Sequence, residues 1–277
     1  MDLSIRTLSL DEVALLVDWA ADEGWNPGLH DAALFQVADP DGFIGGFIGD
    51  ELVAGISAVE YGDSFGFIGL YISHPDHRGK GFGKAVWNAG MDRLNGRVIG
   101  LDGVPEQQAN YRSKGFVEAY GTTRYSGRFA GESVGNVSIR RFEPGDLDAV
   151  TAFDRRYFPD DRARFLAGWL RAPHLALAAI DGDAIVGYGV ARECREGFKI
   201  GPLFAEQDAI ATSILAGLAD LCDGNVHIDV SDIQAGFQHA LAGGGLEPGF
   251  VTARMYRGGT PEINLDGVFA TTTLELG

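Results

Sequence analysis

Apolar and polar positions recur along this chain with enough regularity to order its elements. Leu3 to Leu8 reads as a strand. Ser9 stands where a helix cap would, and Val13, Leu16 and Val17 follow at helical spacing, with Asp11 and Glu12 in the first turn, where the positive end of the helix dipole favours carboxylates. Trp25-Asn26-Pro27-Gly28 ends that helix, since neither Pro nor Gly continues one, and Asp31 to Val37 predicts a second helix. Three strands follow at Phe43 to Ile48, Leu52 to Tyr61 and Phe65 to Ile72, the first two joined by a tight turn at Gly49-Asp50. A glycine-rich stretch then leads into a helix carrying Val86, Trp87 and Leu94, a strand from Arg97 to Leu101, a short helix over Gln107 to Ser113 and a strand from Phe116. The pattern predicts an α/β module, a mixed sheet with helices on its faces.

The second half of the chain repeats this order. Ser4-Ile5-Arg6 is echoed by Ser138-Ile139-Arg140, and Gly49 to Gly55 by Gly182 to Gly187. Ile68-Gly69 is echoed by Ile200-Gly201, Gly100-Leu101-Asp102 by His227-Ile228-Asp229, and Thr123-Arg124-Tyr125 loosely by Thr252 to Tyr256. Each match is short, but their shared order predicts two copies of one module, residues 1–130 and 136–277, joined by the Gly- and Ser-rich stretch Ser126 to Gly135. An extra strand is expected near Phe269 to Leu276.

Composition narrows the function. The 277 residues carry 39 acidic against 22 basic side chains, a net charge of −17. That balance argues against a nucleic-acid partner and would draw a cationic one, such as an amine. No apolar run reaches the roughly 18 residues of a membrane span, and the first residues lack the basic-then-apolar order of a signal peptide. Cys194 and Cys222 form neither a metal spacing nor a disulfide framework, so a reducing cytoplasm and no metal are expected.

Against this acidic background Arg78, Lys80 and Lys84 concentrate positive charge in Arg78-Gly79-Lys80-Gly81-Phe82-Gly83-Lys84, between a strand and a helix. Free N–H groups at a helix start attract phosphate oxygens, and glycines let the backbone approach them. Ala85 follows Lys84, so this is no Walker loop, and the glycine spacing does not meet the dinucleotide pattern. Together with Tyr71-Ile72-Ser73-His74-Pro75 before it and Tyr111-Arg112-Ser113-Lys114-Gly115-Phe116 downstream, the loop resembles the acetyl-CoA site of the GNAT N-acetyltransferase superfamily, over most of residues 3–128.

The resemblance implies two tandem GNAT-like domains, each a mostly antiparallel sheet with one parallel, splayed strand pair flanked by helices. It implies acetyl-CoA held by Tyr71, Ile72, Arg78 to Lys84 and Asn110, with backbone N–H groups at Tyr71 and Ile72 polarising the thioester. Tyr111 would be the acid that protonates the departing thiolate as an amine attacks directly. Trp25, Asn26 and Asp102 are the candidates for the acceptor side. Asp102 and Glu60 are carboxylates at strand ends, but neither is assigned as a base. In the second half Gly201 to Asp208 lacks the glycine run, Glu206 and Asp208 would repel a pyrophosphate, and Leu241 falls where Tyr111 should be. That half is expected to be degenerate and to shape the acceptor pocket, with a small-molecule amine as partner and a monomer or homodimer as assembly. An acyl-CoA-binding sensor or an interaction protein remain the other readings.

Overall fold

The computed structural model describes residues 2–134 and 137–277, so Gly135 and Asn136, the expected end of the linker and start of the second module, lie outside the described residues. The first half runs β1 (Leu3–Thr7), α1 (Leu10–Asp22), α2 (Asp31–Ala38), β2 (Phe43–Ile48), β3 (Glu51–Tyr61), β4 (Phe65–Ser73), α3 (Phe82–Arg93), β5 (Val98–Gly103), α4 (Pro105–Ser113) and β6 (Val117–Gly127). The second repeats it as β7 (Ser138–Arg141), α5 (Leu147–Asp154), α6 (Ala163–Trp169), β8 (Leu175–Asp181), β9 (Ala184–Glu193), β10 (Phe198–Ala205), α7 (Asp208–Leu221), β11 (Val226–Ser231), α8 (Ala235–Gly243) and β12 (Glu247–Arg257). A final short strand, β13 (Val268–Ala270), is shorter than the expected 269–276, because the residues after it form turns that run between the halves.

Local signals hold where local physics decides. Ser9 Oγ accepts from the Glu12 amide at 3.4 Å while the Ser9 amide donates to Glu12 Oε2 at 2.8 Å, a reciprocal cap that starts α1. Its apolar stripe, Val13, Leu16, Val17 and Ala20, is buried.

The halves share one sheet, in the order β1-β2-β3-β4-β5-β12-β6-β11-β10-β9-β8-β7, with β13 beside β10. Among the described residues the parallel pairs are β4 with β5 and β10 with β11, one in each half, and the other neighbours are antiparallel. The last strands are exchanged: β12 lies between β5 and β6, and β6 lies between β12 and β11. The register of this exchange sets Arg254 opposite Asp102 and Arg124 opposite Asp229. Arg254 donates to both Asp102 oxygens at 2.9 and 2.8 Å, and Arg124 to both Asp229 oxygens at 2.8 Å. Each half's aspartate is therefore neutralised by the other half's arginine, inside the protein, by a bidentate pair.

The largest apolar cluster is also joint. Val13, Leu16 and Phe35 of the first half pack with Phe165, Leu166 and Trp169 of the second, and the Phe35 and Trp169 rings stack at 6.4 Å. Separate clusters sit under α3 in the first half and under α7 and α8 in the second. No helix among the described residues is long and apolar enough to cross a membrane.

Candidate active site

The site begins with a fault in β4. Its parallel pairing with β5 runs from Phe65 and Val98 to Ile68 and Leu101 and then stops. On the other edge the register with β3 jumps between Gly69 and Ile72, so that Leu70 and Tyr71 together oppose Ile56, and Leu70 takes a positive φ of 44°. Such a bulge bends a strand and breaks its ladder. Past it the two strands splay, and a cavity of about 800 Å³ opens between them.

One wall is β4 from Leu70 to Ser73; opposite stand Asp102, Gln107, Asn110 and Tyr111 from β5 and α4. Glu23 and Trp25 come from the loop after α1. The second half closes the remaining side with Phe250 and Val251 of β12 and with Leu274 and Glu275 of the tail beyond β13. These last residues were not foreseen. Phe250 and Val251 carried a signal, as adjacent apolar residues that remain 36% and 44% exposed, but nothing local in the sequence assigns them to a cavity in the other half.

The glycine loop lies at one end of the cavity. Arg78 lines it, its Nε donating to the Ser73 carbonyl at 3.1 Å and its guanidinium paired with Glu23. Gly79 and Gly81 have φ of 77° and 87°, and a Cβ on either would meet no atom within 4 Å, so their role is conformational. Gly81 caps α3, and among the described residues it makes no side-chain capping bond to the N–H groups there. Gly83 serves packing instead: a Cβ there would approach the Ser73 hydroxyl to 2.6 Å and the Tyr71 hydroxyl to 3.2 Å. Lys80 reaches back to the Asp76 carbonyl at 2.9 Å, Phe82 packs near His77, and Lys84 is exposed on the first turn. Backbone amides, open glycines and exposed lysines form a cradle that fits a pyrophosphate.

Tyr111 is packed among aromatic rings and also lines the cavity. Its ring stacks on Trp87 at 5.5 Å and meets Phe116 edge-on, while the residue lines the cavity. Burial, and next the neighbouring Tyr71, push its phenol above the ordinary range, which favours the protonated form. Tyr71 is likewise raised by burial. Asn110 is exposed on the rim, its amide turned toward Gln107 at 3.3 Å.

Of the three candidates for the acceptor side, Trp25 and Asp102 line the cavity and Asn26 lies outside its lining. Asn26 does not line the cavity: its side chain donates to the Glu196 carbonyl at 2.9 Å and accepts from the Glu196 amide at 3.1 Å. It holds the loop after α1 against the β9–β10 hairpin, and its φ of 51° belongs to that turn. Asp102 does line the cavity, but both its oxygens are engaged by Arg254, so it is no free base. Glu60 points elsewhere, to Arg97 at 3.4 Å and Arg93 at 3.6 Å. Trp25 lines the cavity, and its carbonyl is gripped by Lys199 Nζ at 2.8 Å and Arg124 Nη1 at 3.3 Å.

The second half has a splay of its own, but the chain fills it. After Ile200 and Ile228 the β10–β11 pairing stops, and β10 pairs instead with β13, Leu203 opposite Ala270 and Phe204 opposite Val268. A Cβ on Gly201 would strike the Thr271 and Thr272 carbonyls at 2.4 Å. From there the tail continues into the first half, where the Ser57 hydroxyl donates to the Glu275 carbonyl at 3.3 Å and the Tyr61 hydroxyl to the Leu276 carbonyl at 3.0 Å.

A bulged, splayed strand pair above a glycine-rich helix start, repeated once in degenerate form, defines a tandem GNAT architecture. Residues 10–121 match the model of the acetyltransferase (GNAT) family, and residues 150–270 match a second acetyltransferase (GNAT) domain model. Holothin acyltransferase from Pseudoalteromonas sp. (strain SANK 73390) is 34% identical over 98% of this chain and 94% of that protein. The chain belongs to the GNAT family and is an acyltransferase of the GNAT type. A crystal structure of a putative acetyltransferase from Pyrococcus horikoshii shares the fold with a TM-score of 0.82, at 22% identity, over 99% of this chain and 96% of that one. A tandem GNAT protein from the clavulanic acid biosynthesis pathway shares it with a TM-score of 0.60, at 13% identity, over 94% of this chain and all (100%) of the other.

Proposed function

We propose that this chain moves an acetyl group from acetyl-CoA to the primary amine of a small molecule, at one active site per chain. The catalytic domain is residues 1–130, and residues 136–277 complete its acceptor side. The observation that carries this reading is the cavity itself. It opens where β4 leaves β5, runs from Arg78 at the glycine loop past Tyr111, and ends on residues of the second half. Acetyl-CoA would set its pyrophosphate on the Gly79–Lys84 amides and lay its pantetheine along β4, borrowing main-chain bonds that β5 no longer takes. Amide N–H groups at Tyr71 and Ile72 would polarise the thioester carbonyl, and Tyr111 would protonate the departing thiolate. The filled β10–β11 splay supports a single site. The Pseudoalteromonas relative is named for acylating holothin, so holothin belongs in the first panel of acceptors.

Calorimetric titration with acetyl-CoA, followed by thiol-release assays across amines, tests the reading. Saturable binding with transfer to at least one amine is expected; binding without transfer to any would favour an acyl-CoA sensor. Gly81→Val forces a positive φ on a β-branched residue where the α3 amides open, while its surroundings leave room for a side chain. Acetyl-CoA affinity should fall by about tenfold or more, while the strained backbone lowers the melting temperature by only a few degrees; unaltered affinity would remove the loop from the cofactor site. Tyr111→Phe should lower turnover by roughly 10²-fold with acetyl-CoA affinity nearly unchanged, and full turnover would show that the ring serves only packing.

A further inference from the structure

We propose that Phe250, which β12 of the second half brings to the first half's cavity, determines acceptor specificity by stacking on a neutral planar group of the amine's body. The proposal rests on the amine-acetyltransferase reading above and adds a substrate class to it: a primary amine carried on an aromatic body rather than on an alkyl chain or a polyamine.

Phe250 is placed by a fault in its strand. Along β6, Pro248 pairs with Tyr125 and Val251 with Thr123, so Gly249 and Phe250 together oppose Arg124. A bulge of this kind re-aims a side chain. The strand is buried from Thr252 to Tyr256, whereas Phe250 lines the cavity and remains 36% exposed.

The ring stands on the acceptor side of the sheet. Ala253 and Met255 of the same strand pack on the other face, with Trp87 of α3 and Tyr111 of α4, below the helix that the glycine loop starts. The Phe250 ring instead lies against Arg124, whose guanidinium carbon is 5.1 Å from the ring centroid. Arg124 Nη1 in turn donates to the Trp25 carbonyl, so ring, guanidinium and the loop after α1 are neighbours. Cofactor and acceptor would then reach the thioester from opposite faces of the splayed pair.

Arg124 also selects what the ring can take. It is bidentate on Asp229 as well as bonded to Trp25, which fixes its charge against one face of the ring. The ring's negative quadrupole is therefore already used, and a second cation on the exposed face would meet the guanidinium charge through it. A neutral planar group meets no such repulsion, and offset stacking adds to the apolar area that it covers. Trp25 and Leu274 line the same cavity and continue the apolar wall.

The probes are phenethylamine and hexylamine, primary amines of similar apolar size that differ in planarity, assayed with acetyl-CoA and the full chain. The parent is expected to favour phenethylamine. Phe250→Leu keeps an apolar side chain but has no π face, and it should lower the ratio of kcat/KM for phenethylamine over hexylamine by about fivefold. The change should fall on KM for phenethylamine, because a contact to the non-reacting body is made in ground and transition states alike. Phe250→Tyr should hold the ratio within about twofold of the parent's. A partial loss of folded enzyme cancels in the ratio, so a purely structural role for the ring would leave it unmoved. A parent that uses both probes equally, a parent that acetylates other amines but neither probe, or a ratio unmoved by Phe250→Leu overturns the proposal while the amine reading stands. A parent that acetylates no amine removes both.

Discussion

Residues 1–130 produced alone are expected to yield no folded acyltransferase, whereas the same segment co-produced with residues 131–277 should recover a soluble, active complex. The cause is the exchange of last strands. Without β12, the facing edges of β5 and β6 lose every partner between them, and β6 also loses β11 on its other side. Unpaired edges of that length template aggregation or pairing with a second copy. The joint cluster would be cut as well, uncovering Val13, Leu16 and Phe35 where Phe165, Leu166 and Trp169 now lie. Size-exclusion chromatography with circular dichroism, and acetyl-CoA titration of each sample, would read the result. A monomeric, folded 1–130 with the parent's affinity would show that the shared sheet is dispensable to the first module.

Asp102→Ala should produce the largest loss of stability of any single substitution near the cavity. It deletes both acceptors of the Arg254 guanidinium, whose side chain is 7% exposed and sits between β5 and β6. Removing one partner of a buried pair leaves an uncompensated charge, a cost of about 3–5 kcal/mol. For a chain of this size the melting temperature should fall on the order of 10 °C. The double change Asp102→Leu with Arg254→Met removes both charges and should recover most of that loss, because desolvating two charges offsets much of what their attraction contributes. Denaturant melts of the single and double variants would separate the two cases. Equal losses in both would mean that packing, rather than the stranded charge, dominates at this junction.

Much of this was legible in the sequence, for reasons that differ by element. The α1 cap, the order of strands and the glycine loop are set by residues close in the chain, and Gly79 and Gly81 have the positive φ that their spacing before a helix suggests. The repeat placed Asp102 beside Asp229 and Arg124 beside Arg254 in the alignment of halves. What it could not reveal is that each aspartate bonds the other half's arginine. Alternation along a strand specifies which side chains face the core but not which strand lies alongside. Asn26 was misplaced for the same reason, since its partner Glu196 lies 170 residues away. Glu275 is a single acid in the Thr-rich segment Thr271 to Leu276, with no spacing to mark it; the expectation of a strand near Phe269 to Leu276 came nearest to it.

The segment beside β10 also behaves as a tethered competitor. Its residues are covalently attached a short distance from the second cleft, so they face it at an effective concentration on the order of millimolar or above. A freely diffusing thioester would have to displace an intramolecular ligand that never leaves, even if the anion-binding loop of that half were rebuilt. Grafting the Arg78–Lys84 sequence between β10 and α7, in place of Glu206 and Gln207, would therefore leave the second cleft closed to acyl-CoA, and only release of β13 would let the graft be tested.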